Sequence, residues 1–164
     1  MVIEKHIAIN KGIKETWQLL GVDFAGAYKW ASAVNHSEGS GENFQGASCS
    51  ERGCSTTMGG IKEKLISFSN EKHSLSYIVS EGMLSMIGYA SNTWQLISKD
   101  DNTSELRIEM DIRTKGILGL IMQPIIKFQF SMLGNDLVHD FKHYAETGRP
   151  SEKKLKAIQK KQAV

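Results

Sequence analysis

The chain is poor in the residues that carry most catalytic and structural signatures. It has two cysteines, Cys49 and Cys54, and two prolines in 164 residues. Two thiols at that spacing, with no histidines at suitable intervals, do not make a zinc site, and a domain of this size needs no disulfide. Both read as free thiols. No glycine-rich phosphate loop, HExxH pattern or Ser-His-Asp set is present, so neither a cofactor nor a metal is implied. No stretch approaches the roughly 20 consecutive apolar residues of a membrane span, and stable membrane insertion is not expected. Residues Met1–Ile9, with Glu4 and Lys5 among them, resemble neither a secretory nor a transit peptide. A cytoplasmic location is the default expectation.

Charge is unevenly placed. Residues Arg149–Val164 hold six basic side chains against Glu152, a net of +5, which leaves −3 on the body of a chain whose formal charge is +2. A mildly acidic body argues against a nucleic-acid surface. The expected organisation is a single domain over residues 1–148 and a flexible, solvated basic tail over 149–164.

The positive signal is hydrophobic periodicity. Ile126, Phe130, Leu133, Leu137, Phe141 and Tyr144 recur at steps of four and three, which predicts a helix over Leu118–Glu146 with one apolar face. Pro124 lies inside it and predicts a kink or broken first turn, and Gly148 and Pro150 stop it. His139 and His143 have metal-pair spacing but fall off the stripe with no third ligand, so they read as a solvated face.

Alternation dominates the rest. Ile3, Ile7 and Ile9 mark a first strand in which Lys5 breaks the pattern. Asn10 is placed to cap a short helix bearing Ile13, Trp17 and Leu20, ended by Gly21, with a second helix over Phe24–Trp30. A weak strand at Ser32–Ser40 precedes strands at Ser50–Met58, Ile61–Ser69, His73–Ser80, Tyr89–Ser98 and Thr103–Arg113. Gly59-Gly60 predicts a two-residue hairpin turn. Strands joined without intervening helices make an antiparallel sheet, so the fold class is α+β: about seven curved strands wrapped around the long C-terminal helix.

That order, together with certain residues, resembles the START-like superfamily, also called the helix-grip or Bet v 1-like fold, and within it the polyketide cyclase/dehydrase and lipid-transport group. The resemblance is carried by Trp17 to Leu20, Asp23-Phe24 and Tyr28 to Trp30, by Glu63 to Leu65 and Leu75 to Tyr77, and by Leu137 through Phe141 to Gly148. These strings mark a fold and contain no catalytic signature. Family members commonly place an arginine a few residues after a strand-opening glycine, whereas three after Gly46 stands Cys49. Arg52 is its counterpart in a shifted register, or the position is lost. The resemblance implies a cavity between sheet and helix, with a glutamate in the pocket at Glu63.

Hairpin geometry selects the concave face. With Gly59-Gly60 as the turn, Thr56 opposes Glu63, Cys54 opposes Leu65 and Arg52 opposes Ser67, while Lys62 and Lys64 face water. In the last hairpin Leu106, Ile108, Met110 and Ile112 alternate with charges and must face in. An even turn at Asp101-Asn102 sends Tyr89, Ser91, Thr93 and Gln95 inward and Trp94 out. An odd turn would instead bury Ala90, Asn92, Trp94 and Leu96. The even register is the expectation taken, because plant hormone receptors of the fold carry a similar tyrosine and serine two apart in their pocket.

Candidate ligand contacts are therefore Arg52, Cys54, Thr56, Glu63 and Leu65, then Tyr77 and Val79. Met86 in a methionine-rich connection suits a lid, followed by Tyr89, Ser91, Ile108 and Met110 from the last hairpin. Leu133 and Leu137 come from the helix. The functional expectation is binding of a small hydrophobic molecule (lipid, aromatic or polyketide-like). The alternative is a cyclase/dehydratase-type enzyme in which Glu63 or a tyrosine moves protons while Arg52 steadies an enolate.

Overall fold

The apolar alternation produces one open antiparallel sheet in the computed structural model, which describes residues 1–162. Its strands are β1 (Val2–Ile9), β2 (Val34–Ser40), β3 (Glu51–Thr56), β4 (Gly59–Ser69), β5 (Ser74–Glu81), β6 (Ile87–Ser98) and β7 (Ser104–Thr114). Their order across the sheet is β1-β7-β6-β5-β4-β3-β2. Consecutive strands from β2 to β7 are neighbours, and β1 closes onto β7 at the far edge. This is the helix-grip arrangement.

Between β1 and β2 run α1 (Ile13–Trp17), a π-type turn over Gln18–Val22 and a 3-10 segment over Phe24–Lys29. The helical path continues past Gly21, where an end was expected. Gly12 caps α1 in place of Asn10. The Asn10 N–H instead donates to Glu146 Oε1 at 2.7 Å, tying the end of β1 to the long helix.

The long helix, α2, is Gly116–Thr147 and runs unbroken through Pro124. It ends where Gly148 takes a left-handed φ of 69° and donates its N–H to Tyr144 O at 2.8 Å. The helix packs against β1 and β7. Gly134 permits the approach, since a Cβ there would lie 2.6 Å from Met110 Cε and 3.2 Å from Lys5 Cγ. Lys5 takes an inward position on β1, lays its stem along the helix and donates to Ser131 Oγ at 2.9 Å. Phe141 is fully buried against Trp30, ring centroids 5.1 Å apart.

Two strand registers differ from expectation. The β3–β4 turn is Thr57-Met58, so Cys54 pairs with Ile61 and Arg52 pairs with Glu63. Thr56 builds this turn, its Oγ1 donating to Gly59 O at 2.7 Å and accepting from Met58 N–H at 3.1 Å. That side-chain bonding outcompetes the Gly-Gly signal. The displacement is an even step, so the expected faces survive as far as Leu65. A bulge between Leu65 and Ser67 then turns Ser67 outward and Phe68 inward, onto Trp17.

In the β6–β7 hairpin the odd turn holds: Trp94 pairs with Ile108, Leu96 with Leu106 and Asn92 with Met110. Trp94 is buried and Tyr89 lies on the outer face under Arg113, 4.7 Å from its guanidinium carbon. Burying an indole outweighs burying a phenol whose hydroxyl can stay in water.

The basic tail also departs from expectation. Glu152–Gln162 is a helix, α3. It is tied down by buried Lys154, which donates to Val34 O at 2.5 Å, and by Lys153, which pairs with Asp136 at 2.5 Å. Ser151 donates to Asp140, and Asp140 accepts the Ser32 N–H at 2.8 Å.

Candidate functional site

Because α2 rests on β1 and β7, the curled half of the sheet from β3 to β6 stands away from it. The gap is a cavity of about 1160 Å³. Tyr77, Trp94 and Met110 line its sheet side, and Ile126, Phe130, Leu133 and Leu137 line its helix side. Trp30 and Phe24, from the segment after β1, close one end. Met58, Leu84 and Met132 line it while remaining half exposed or more, which marks the mouth, and α3 adds Lys153, Lys156 and Lys160.

One ion pair lies deep in this apolar surround, apart from the more exposed Lys153–Asp136 pair near the mouth. Arg52 Nε donates to Glu63 Oε2 at 2.7 Å, and Arg52 Nη2 reaches the same oxygen at 2.6 Å. Arg52 Nη1 donates to Phe24 O at 2.6 Å, and the guanidinium lies 4.2 Å from the Phe24 ring and 5.3 Å from the Tyr77 ring. Both side chains are buried, 9% and 7% exposed. Burial alone would draw the Arg52 pKa down, but the Glu63 carboxylate outweighs it and holds the guanidinium above its ordinary value. Cys54 Sγ points to Glu63 Oε2 at 3.4 Å. Burial, then the Glu63 charge, push the Cys54 thiol up to about 12. Burial, with Glu63 second, also raises the Tyr77 phenol. At neutral pH the deep site therefore holds a compensated ion pair beside a neutral thiol and a neutral phenol.

Among the described residues two buried polar atoms make no well-formed hydrogen bond. Trp94 Nε1 and Asn92 Oδ1 are buried without a hydrogen bond, and both residues line the cavity. The Trp94 N–H has the Tyr77 hydroxyl as its polar neighbour and favours that group's ionised form. An unpaired buried donor or acceptor costs about 1–3 kcal/mol. Both atoms lie just behind the cavity surface, so a ligand oxygen or hydroxyl would bond them only with a small shift of the wall.

Of the expected contacts, Arg52, Thr56, Glu63, Tyr77 and Val79 line the cavity, as do Met110, Leu133 and Leu137. Ser91 touches it too, although its register position belongs to the outer face. Cys54, Leu65 and Ile108 are buried behind the lining. Met86 does not line the cavity. Its carbonyl accepts the Lys115 N–H at 2.9 Å at the start of α2, and Met83 and Leu84 of the same connection line the cavity instead. Tyr89 is outside. The expected set omitted Trp94 and Asn92, which only the rejected register placed inward, and the α3 lysines. His139 and His143 are exposed, and among the described residues no three metal-ligating side chains gather.

Neither protein-family models nor curated protein sequences give a match to the chain. Solved structures do. A START superfamily protein from Mycobacterium smegmatis superposes with a TM-score of 0.74 at 9% identity, covering 88% of this chain and 97% of that one. The Zhui aromatase/cyclase from Streptomyces gives 0.69 at 11% identity, covering 92% and 99%. Norcoclaurine synthase from Thalictrum flavum, in complex with dopamine and hydroxybenzaldehyde, gives 0.66 at 14% identity, covering 87% and 84%. The fold of this chain is the START-like, Bet v 1-like fold.

Proposed function

We propose that the protein binds a small, mostly apolar molecule bearing one oxygen acceptor and one hydroxyl donor. The observation that carries this reading is the largely apolar cavity of about 1160 Å³ between sheet and helix, with Trp94 Nε1 and Asn92 Oδ1 just behind its surface. Pockets of this kind draw affinity from apolar burial and orientation from few polar groups. An aromatic or polyketide-like ring system with a carbonyl and a phenol fits both requirements. The complex of norcoclaurine synthase with dopamine and hydroxybenzaldehyde supports that chemistry by analogy of fold. Free Cys49 and Cys54 suit a reducing cytoplasm.

The cyclase/dehydratase reading asks more of Glu63 and Arg52. Both are already engaged with each other, and Arg52 also with Phe24 O. An enolate would have to displace the carboxylate. Binding is thus the favoured reading.

The test is a fluorescence titration with a hydroxynaphthyl ketone and with unsubstituted naphthalene. Trp94→Phe removes one hydrogen bond, worth about 0.5–1.5 kcal/mol, and should weaken the ketone by roughly two- to tenfold while leaving naphthalene unchanged. Equal affinity of wild type and variant for the ketone would refute the assigned donor.

A further inference from the structure

The outer face of α2 is unusual for a helix lying on a sheet, which ordinarily turns charge toward water. Between Gly116 and Met132 the only charged residue is Lys127. The outward positions are apolar: Ile117 is 81% exposed, Ile121 68%, Phe128 65% and Met132 50%. Their spacing puts them on one line, opposite buried Gly119 and Ile126. The helix as a whole is long and apolar enough to cross a membrane, and only 11% of its most apolar stretch is buried. That departs from the expectation that no segment approaches a membrane span. The opposite face of α2 is nevertheless committed to the fold through Phe141 and Ile126.

This apolar line ends at the cavity mouth, where Met132, Met58 and Leu84 are both exposed and part of the lining. The border is mainly cationic, its one acidic member from α2, Asp136, being paired with Lys153. No Asp or Glu occurs between Lys115 and Asn135, and α3 brings exposed Lys156 and Lys160 to the same mouth. Apolar side chains flanked mainly by cations complement an anionic bilayer, with the former among acyl chains and the latter at phosphates. A second copy docking through the same face would bring like charges together.

We propose that this face docks reversibly on anionic membranes, with α2 in the plane of the interface and the cavity mouth toward the lipid. An apolar molecule then passes between bilayer and cavity without crossing water. That last step rests on the binding function proposed above, whereas the docking itself does not.

The experiment is sedimentation of the full chain with vesicles of phosphatidylcholine alone or containing phosphatidylglycerol, at low and raised salt. Partitioning is expected onto the anionic vesicles and should weaken with salt. Ile121→Glu/Phe128→Glu should reduce it by about tenfold or more with melting temperature and hydroxynaphthyl ketone affinity unchanged, and Lys156→Glu/Lys160→Glu by at least several-fold with melting temperature unchanged. Absence of partitioning, or partitioning indifferent to these substitutions, overturns the proposal. A dimer in sedimentation equilibrium that Phe128→Glu converts to monomer also overturns it, by assigning the face to a second copy. Docking without ketone binding would refute the ligand alone, and ketone binding without docking the membrane surface alone.

Discussion

Replacing Glu63 by leucine probes the electrostatics of the cavity wall most severely. The substitution removes two short contacts, at 2.7 and 2.6 Å, from a guanidinium that is 9% exposed. Arg52 would keep one neutral acceptor, Phe24 O, and two aromatic faces. Stranding one member of a buried pair costs about 3–5 kcal/mol. The rings return on the order of 1 kcal/mol. A net loss of about 3 kcal/mol is expected from urea unfolding with an unchanged m-value. For a chain of this length that is a fall of roughly 6–12 °C in melting temperature. Arg52→Met combined with Glu63→Leu removes both charges and should return to within about 1 kcal/mol of wild type, because neither ion then remains to be desolvated. A single-variant loss below about 1 kcal/mol would be the behaviour of a water-exposed pair and would refute the reasoning. So would a double variant no better than the single one.

Other consequences can be measured independently. Native Cys54 should react with Ellman's reagent at pH 8 roughly a thousandfold more slowly than an ordinary thiol, since burial and Glu63 raise it to about 12. Rapid native labelling of both thiols would contradict this. Glu105 is held down to about 2 by Lys99 first and by Arg107, below its ordinary 4.5. A depressed carboxylate stabilises the fold above its unfolded pKa and loses that contribution as pH falls through the folded one. The stability gap between wild type and Glu105→Gln should therefore shrink from about pH 5 toward pH 2, and a gap that widened would reverse the sign. Phe141→Ala, at a fully buried position, should cost about 3–5 kcal/mol, whereas Leu133→Ala, which borders space already open, should cost under about 2 kcal/mol. Equal losses in equilibrium unfolding would argue that the cavity is closed in solution.

The architecture was legible because it rests on periodicity, which needs no knowledge of distant partners. The helix stripe through Phe141 and the alternation in β7 specify one inward face each, and the sheet order follows from hairpins. Register was legible only modulo two. In the β3–β4 hairpin the turn moved by an even step, so Arg52 and Glu63 stayed on the concave face and became direct partners. In the β6–β7 hairpin an odd step exchanged Tyr89 for Trp94. The signal available there was Trp94 itself, whose exposure the even register required. Two features depended on tertiary context. Lys154 looks like one more solvated lysine until Val34 O presents an acceptor far away in sequence. The outer apolar line of α2 was readable from its lack of charge, but periodicity directs attention to the buried face and away from the opposite one.

The central claim is that an apolar molecule enters the space between Trp94 and the inner face of α2. A heteronuclear NMR titration with the hydroxynaphthyl ketone tests it most directly. Saturable shifts are expected at the Trp94 indole N–H and at the methyl groups of Met110, Leu133 and Leu137, with Ile117 and Ile121 unaffected. No saturable change at those groups, or changes confined to the exposed line of α2, would contradict it.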